Sequence, residues 1–149
     1  MLLYSDIITG DHIVSDGFPM QLVDDVVFQV GCMSDEDEDG DGAVDSFVHH
    51  FRLQPVTFDK SGYQSQLSGY MKAVKLYLTA SGAGAHEVTA FEKGASAYAK
   101  KISANFGSYE FYTGASRSPD GMVGLLSHHS DGVTPYFTFW KHGLRAEQV

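Results

Sequence analysis

Cysteine is almost missing from this chain of 149 residues: Cys32 stands alone. One thiol can neither close an intrachain disulfide nor build a multi-cysteine zinc cluster, which argues for a reducing compartment and against a disulfide-built secreted scaffold. Basic residues are scarce as well, ten Lys and Arg against nineteen Asp and Glu for a formal charge of −9. That balance argues against nucleic acid or an anionic membrane surface as the partner. No apolar run approaches the roughly 18 residues of a membrane span. The opening Met1-Leu2-Leu3-Tyr4-Ser5-Asp6 has no basic stretch and meets an acid at once, unlike a signal peptide. A cytoplasmic protein is expected. Catalytic motifs are absent too: there is no G-x-S-x-G, no P-loop, no G-x-G-x-x-G opening a helix after a strand, and no H-E-x-x-H. The histidine pairs His49-His50 and His128-His129 have no cysteine partners, and in strands adjacent side chains would point to opposite faces, so they make poor metal ligands. Cys32, at a strand end beside a run of acids, should be a poorly reactive thiol. The chain reads as a non-enzyme.

What is present is a core. The chain is 43% hydrophobic and 13% aromatic, enough for one domain over residues 1–149. Leu2-Leu3-Tyr4, Ile7-Ile8, Ile13-Val14 and Val26 to Val30 are short β-branched or aromatic runs punctuated by Asp, Gly and Pro, the pattern of several short strands. Val44 to Leu53 is apolar again and should re-enter the sheet. The period then changes, for Tyr63, Leu67, Tyr70, Met71, Val74 and Leu78 mark one face of a helix. Asp59 is a suitable N-cap, and Ser81-Gly82-Ala83-Gly84 has the residues that end a helix. Val88, Phe91, Ala95, Tyr98 and Ile102 mark a second helix, so a hairpin of two antiparallel helices is predicted over about 59–104. Glu110 to Thr113, Met122 to His128 and Thr134 to Trp140 are strands again, the last two joined by the turn Ser130-Asp131-Gly132. Tyr136, Phe137, Phe139 and Trp140 put large side chains on both faces of one strand, which suits a core strand covered on both sides. The predicted class is α+β, mainly antiparallel strands with an inserted two-helix hairpin.

Seven of the nineteen acids fall between Asp35 and Asp45. With Gly40 and Gly42 and no hydrophobe from Ser34 to Gly42, residues 33–45 read as a solvated, mobile acidic loop. Asp35, Asp37, Asp39 and Asp41 match the first half of a calcium loop in two registers. The twelfth position, which should be a bidentate Glu, is Ser46 or Val48, so any calcium bound there should be held weakly and no cofactor is required. A calcium buffer or sensor acting through this loop is the alternative function.

Three stretches then place the chain. The opening Met1 to Thr9 with Ser15-Asp16 is one, and Leu53-Gln54, Phe58 and Tyr70-Met71-Lys72 form the second. The third runs from Asn105-Phe106 through Phe111-Tyr112-Thr113-Gly114, Asp120-Gly121-Met122, Asp131-Gly132 and Pro135 to Lys141-His142-Gly143-Leu144. Together they resemble the translationally controlled tumour protein family over nearly the whole length. The resemblance implies a β-tent with a protruding helical hairpin, and a regulatory binding protein with weak calcium binding. The partners it implies are Ras-like GTPases of TOR growth control, tubulin and cell-death regulators, and the partner-facing residues it suggests are Asp11, His12, Tyr63, Lys72 and Lys75. Two positions depart from the family pattern: His12 stands where an acid usually follows the aspartate, and Ala115 where a Glu usually follows Gly114. The acidic loop is also shortened. The same fold superfamily includes methionine sulfoxide reductases, but a lone Cys32 does not supply their catalytic and zinc-binding thiols.

Overall fold

The computed structural model describes residues 1–32, 40–130, 132 and 134–149. Among these residues nine strands and three α-helices follow one another as β1 (Leu2–Asp6), β2 (His12–Ser15), β3 (Met20–Val23), β4 (Val27–Gly31), α1 (Gly40–Phe51), β5 (Gln54–Val56), α2 (Lys60–Ala80), α3 (Ala85–Ala104), β6 (Glu110–Thr113), β7 (Gly124–His128), β8 (Pro135–Trp140) and β9 (Leu144–Gln148). The strands form a small sheet, β2-β1-β9, and a large one, β3-β4-β8-β7-β6-β5. Every strand pairing is antiparallel.

The segment expected to re-enter the sheet is instead α1. Ala43, Phe47 and Phe51 are buried at intervals of four, one stripe of a helix, and tertiary packing of that stripe outweighs the β-branched and aromatic content of the segment. Phe47 stacks on Phe137 at 4.9 Å and meets Phe18 edge-on at 4.7 Å. The helix also takes Gly40 to Asp45 out of the expected acidic loop, of which residues 33–39 lie outside the described ones, and it places His49-His50 in a helical last turn rather than a strand. Ile7-Ile8 likewise belong to the turn after β1, while β3 and β9 are strands that the hydrophobic pattern did not mark.

Strand β8 is the spine. Phe137 and Phe139 face α1, and Trp140, on the opposite pleat, meets Tyr98 of α3 edge-on at 5.8 Å. Sandwiched between helices, the strand buries Phe137, Thr138, Phe139 and Trp140 almost completely. At full burial each large side chain contributes about 1.5–3 kcal/mol of hydrophobic stabilisation.

The hairpin forms where its caps say it should. Asp59 accepts the Gly62 N–H at 2.6 Å, and Gly82, at φ +87°, closes α2 with its N–H on Thr79 O while Ala83 bonds Leu78 O. That is a Schellman ending, which a residue with a Cβ would strain. Gln64 to Ser103 (3.2 Å) and Lys75 to Glu92 (3.1 Å) tie α2 and α3 together in antiparallel register.

Candidate docking site

Helix α2 has two working flanks. On one, Gln66 donates to Gly121 O at 2.7 Å and the Tyr70 hydroxyl donates to Asp6 at 3.1 Å. The Asp6 carboxylate, 3% exposed, also accepts Ile8 N–H at 3.0 Å, the Thr9 hydroxyl at 3.2 Å and Met122 N–H at 2.7 Å. Four donors converge on one buried carboxylate, which satisfies it without a cation. Burial first, and then the Asp6 charge, holds the Tyr70 phenol well above its ordinary pKa. This junction clamps the small sheet, the hairpin and the loop from Gly114 to Met122 to one another.

The other flank, shared with α3, opens a groove of about 750 Å³. Leu67, Met71, Phe91, Ala95 and Ala99 form its floor, and Lys72, Lys75, Lys100 and Glu92 its rim. Lys75 is bridged to Glu92, while Lys72 and Lys100 are exposed and have no ionic partner among the described residues. An apolar trough with three lysines at its edge is thus set into a chain of charge −9. Small side chains at Ala95 and Ala99 keep it open. Beyond it, near the hairpin tip, Leu76 is 72% exposed.

The expected partner-facing residues do not share one surface. Lys72 and Lys75 lie on the groove rim, and Tyr63, only 1% exposed, lines the same groove from beneath while packing on Phe58, Phe106 and Phe111. Asp11 has its carboxylate engaged by Ser116, through the N–H at 3.2 Å and the hydroxyl at 2.6 Å. His12 is exposed at the start of β2. Asp11 sits against the Gly114–Met122 loop, which is reached by Gln66. Gln66 and Lys75 are half a turn out of phase on α2, about 180° apart at 100° per residue, so these residues and the lysines occupy opposite flanks. Lys100 and Met71 were missed, although the 3.6-residue period that located the core face also places them beside it.

Of the expected calcium ligands, Asp35, Asp37 and Asp39 lie outside the described residues and Asp41 falls within α1. Among the described residues, no group of three His, Cys, Asp or Glu is placed to hold a metal ion. Cys32 is buried and its thiol is pushed up to about 12 by burial. It is therefore protonated and inert at neutral pH.

The signature residues are structural. Asn105 caps α3 and its amide donates to Lys101 O at 3.0 Å; Phe106 and Phe111 pack on each other; Tyr112 meets Phe137 edge-on. A Cβ on Gly114 would collide with Asp11, and one on Gly121 with Thr9 and Asp6. Asp120 is exposed beside Ser118, Gly132 (φ +72°) turns the chain between β7 and β8, Pro135 is buried at the start of β8, and Asp131 lies outside the described residues.

The family model described as translationally controlled tumour protein matches residues 1–41 and 33–145. The chain belongs to the translationally controlled tumour protein family. Homologues of this protein in Yarrowia lipolytica and Alternaria alternata are 46% and 45% identical, with both chains covered fully. The solved tumour-associated protein p23fyp of Schizosaccharomyces pombe is 40% identical and superposes with a TM-score of 0.85 over the whole of both chains. The structure of the Caenorhabditis elegans family member, at 23% identity and a TM-score of 0.74, shares the fold. The first two alignments run over 169 positions against 149 residues here. Positions of those relatives therefore have no counterpart in this chain, and the family match is split where its two segments overlap at 33–41. Among the described residues no helix is long and apolar enough to cross a membrane.

Proposed function

We propose that this member of the translationally controlled tumour protein family is a non-enzymatic, cytoplasmic regulatory protein that docks a protein partner along the groove between α2 and α3. The observation that supports the reading is the groove itself, with an apolar floor, Lys72 and Lys100 unbridged on its rim and net positive charge against an acidic whole. A complementary partner is an amphipathic helix whose apolar residues recur at three or four positions and whose flanks are acidic. The Ras-like GTPases of growth control, tubulin and cell-death regulators that the family resemblance suggests are the proteins to try first. Asp11 and His12 take a lesser part in this reading, since Asp11 is occupied by Ser116 and His12 puts an imidazole where the family has an acid.

Affinity capture with purified small GTPase, tubulin and death regulators, comparing the parent chain with Lys72→Glu/Lys100→Glu, tests it. Binding should fall at least about tenfold in the variant, with the melting temperature unchanged. Equal capture by both chains would move the docking face off the hairpin. The same capture in calcium and in chelator tests the weak calcium site proposed for Asp35, Asp37, Asp39 and Asp41. Binding that needs calcium and disappears when those four are changed to Asn would assign the function to the acidic segment instead.

A further inference from the structure

Strand β5 leaves the large sheet beside a second opening. Its last rung with β6 pairs Val56 with Phe111. Beyond that rung the two chains part, for Thr57, Phe58 and Asp59 lead into α2, while the 3₁₀ turn Phe106–Ser108 brings α3 round to β6. Between them lies a pocket of about 320 Å³ lined by Phe58, Phe106, Tyr109, Phe111 and Tyr112, with Glu110 among them. Phe58 stands at 88° to Phe111 with ring centres 5.5 Å apart, and Phe106 lies against the same ring at 5.4 Å, so the rings are walls set at a corner and not a flat stack. Phe58, Phe106, Tyr109 and Tyr112 are half-buried, which leaves the mouth open. No Lys, Arg or His lines this pocket, and Glu110 is exposed and bridged to no cation among the described residues. Burial first, then the charges of Glu110 and Asp45, holds the Tyr112 phenol above its ordinary pKa, so that side of the pocket lies in a negative field.

We propose that this pocket is an aromatic cage for the methylated ammonium head of a lysine side chain from a partner protein. Ring faces carry the negative lobe of the aromatic quadrupole and attract a cation centred within about 6 Å. An unmodified lysine ammonium has three N–H donors and holds its water strongly. The rings offer those donors no acceptor, so entry costs hydration that they do not replace. Methylation exchanges the donors for apolar surface and keeps the charge, a combination that five rings and one carboxylate match. The groove between α2 and α3 has the opposite character, its rim of three lysines repelling a cation, so the two sites select different features of a partner. The open mouth decides the source. A free small ligand is held by a pocket that buries most of it, whereas a side chain enters head first and leaves its stem outside, where exposed Pro55 at the lip gives the methylenes an apolar surface to lie on.

Titrating the full chain with Nα-acetyl-trimethyllysine amide, followed by backbone amide NMR shifts, tests this. Shifts should gather at residues 56–58 and 106–112. The same probe with unmethylated lysine, and the neutral isostere in which a tert-butyl group replaces the trimethylammonium, should each bind at least about fivefold more weakly. Choline, with the same head and no lysine stem, should bind no more tightly than the probe. Glu110→Gln, at an exposed position, should weaken the trimethyllysine probe at least about twofold and leave the isostere alone. Phe106→Leu should weaken the probe by removing a ring, and Lys72→Glu/Lys100→Glu should not weaken it, since the groove is a separate site. The ligand series on the parent chain stands even where Phe106→Leu fails to fold. An isostere that binds as well as the probe would make the pocket merely apolar, and shifts centred elsewhere, or lost in the lysine variant, would place the probe outside it. Choline binding more tightly than the probe would take the pocket away from partner proteins. Each of these results would overturn the proposal.

Discussion

The two flanks of α2 are built on opposite principles. On the inner flank, Gln66 and Tyr70 reach Gly121, Asp6 and Gly143 through partly or fully buried polar contacts. On the outer flank Lys72 and Lys75 stand in solvent above a trough that small residues keep open. Substitution on the first collides with neighbours or strands a buried donor. On the second it changes charge and shape but little stability, so partner choice is able to vary on a frame that does not.

The sharpest way to break this contrast is at Gly143. A methyl there would meet the Tyr70 hydroxyl and Met122 Cε in a packed junction, and overpacking of that kind costs about 3 kcal/mol. Gly143→Ala should therefore lower the urea midpoint markedly, and an unchanged midpoint would show that the junction yields. Asp6→Ala is next. It leaves Met122 N–H and the Tyr70 hydroxyl without their acceptor, at about 2–3 kcal/mol. Lys72→Ala, read in the same melts, should stay within about 0.5 kcal/mol. A loss of more than 1 kcal/mol there would mean that the groove rim is part of the frame after all.

The inner flank was the legible one. Tyr70, Gly114, Gly121 and Gly143 belong to signature stretches because geometry leaves little choice at those positions, and the hairpin was readable because Asp59, Gly82 and two apolar stripes each state one element locally. Helix α1 was not readable on composition: Val44, Phe47, Val48 and Phe51 look like strand residues until the spacing of Ala43, Phe47 and Phe51 is weighed against their type. Strand β9 carries Arg145, Glu147 and Gln148, which no hydrophobic pattern can mark, since its position depends on β1 at the far end of the chain. The groove escaped for a third reason. Its floor includes Ala95, Ala99 and Met71, residues that look like core in one dimension and line a surface groove only once two helices lie side by side. His12 and Ala115, the two positions expected to depart from the family pattern, are both exposed.

A smaller effect sharpens the contrast through pH. His142, in the short 3₁₀ turn Lys141–Gly143 between β8 and β9, packs on Phe91 at 4.7 Å and buries its Nδ1 without a hydrogen-bond partner among the described residues. Burial first, then the Lys141 charge, lowers its pKa from the ordinary 6.5, against the pull of Asp25 and Glu87. The unfolded imidazole takes up its proton near 6.5 and the folded one only further down, so the unfolded state binds more protons in between. Stability should fall as pH drops through that window and level off below the folded pKa. Urea melts from pH 7.5 to 5 should show a shallower fall in His142→Leu, and identical slopes in the two chains would remove His142 as the cause.

The smallest effect tests the outer flank on its own terms. Lys75 and Glu92 form the ion pair across the groove at 3.1 Å, with both side chains about half exposed, 51% and 48%. Solvent screens such a pair and ordering two long side chains offsets much of the attraction, so Glu92→Gln should change stability by less than about 0.5 kcal/mol. It should nevertheless free Lys75 and raise the positive charge facing an acidic partner, so capture by Glu92→Gln ought to strengthen while its melt stays the same. Binding and stability that moved together would join the groove to the frame. Binding that moves alone keeps the two flanks of α2 separate, one holding the fold and the other choosing its partner.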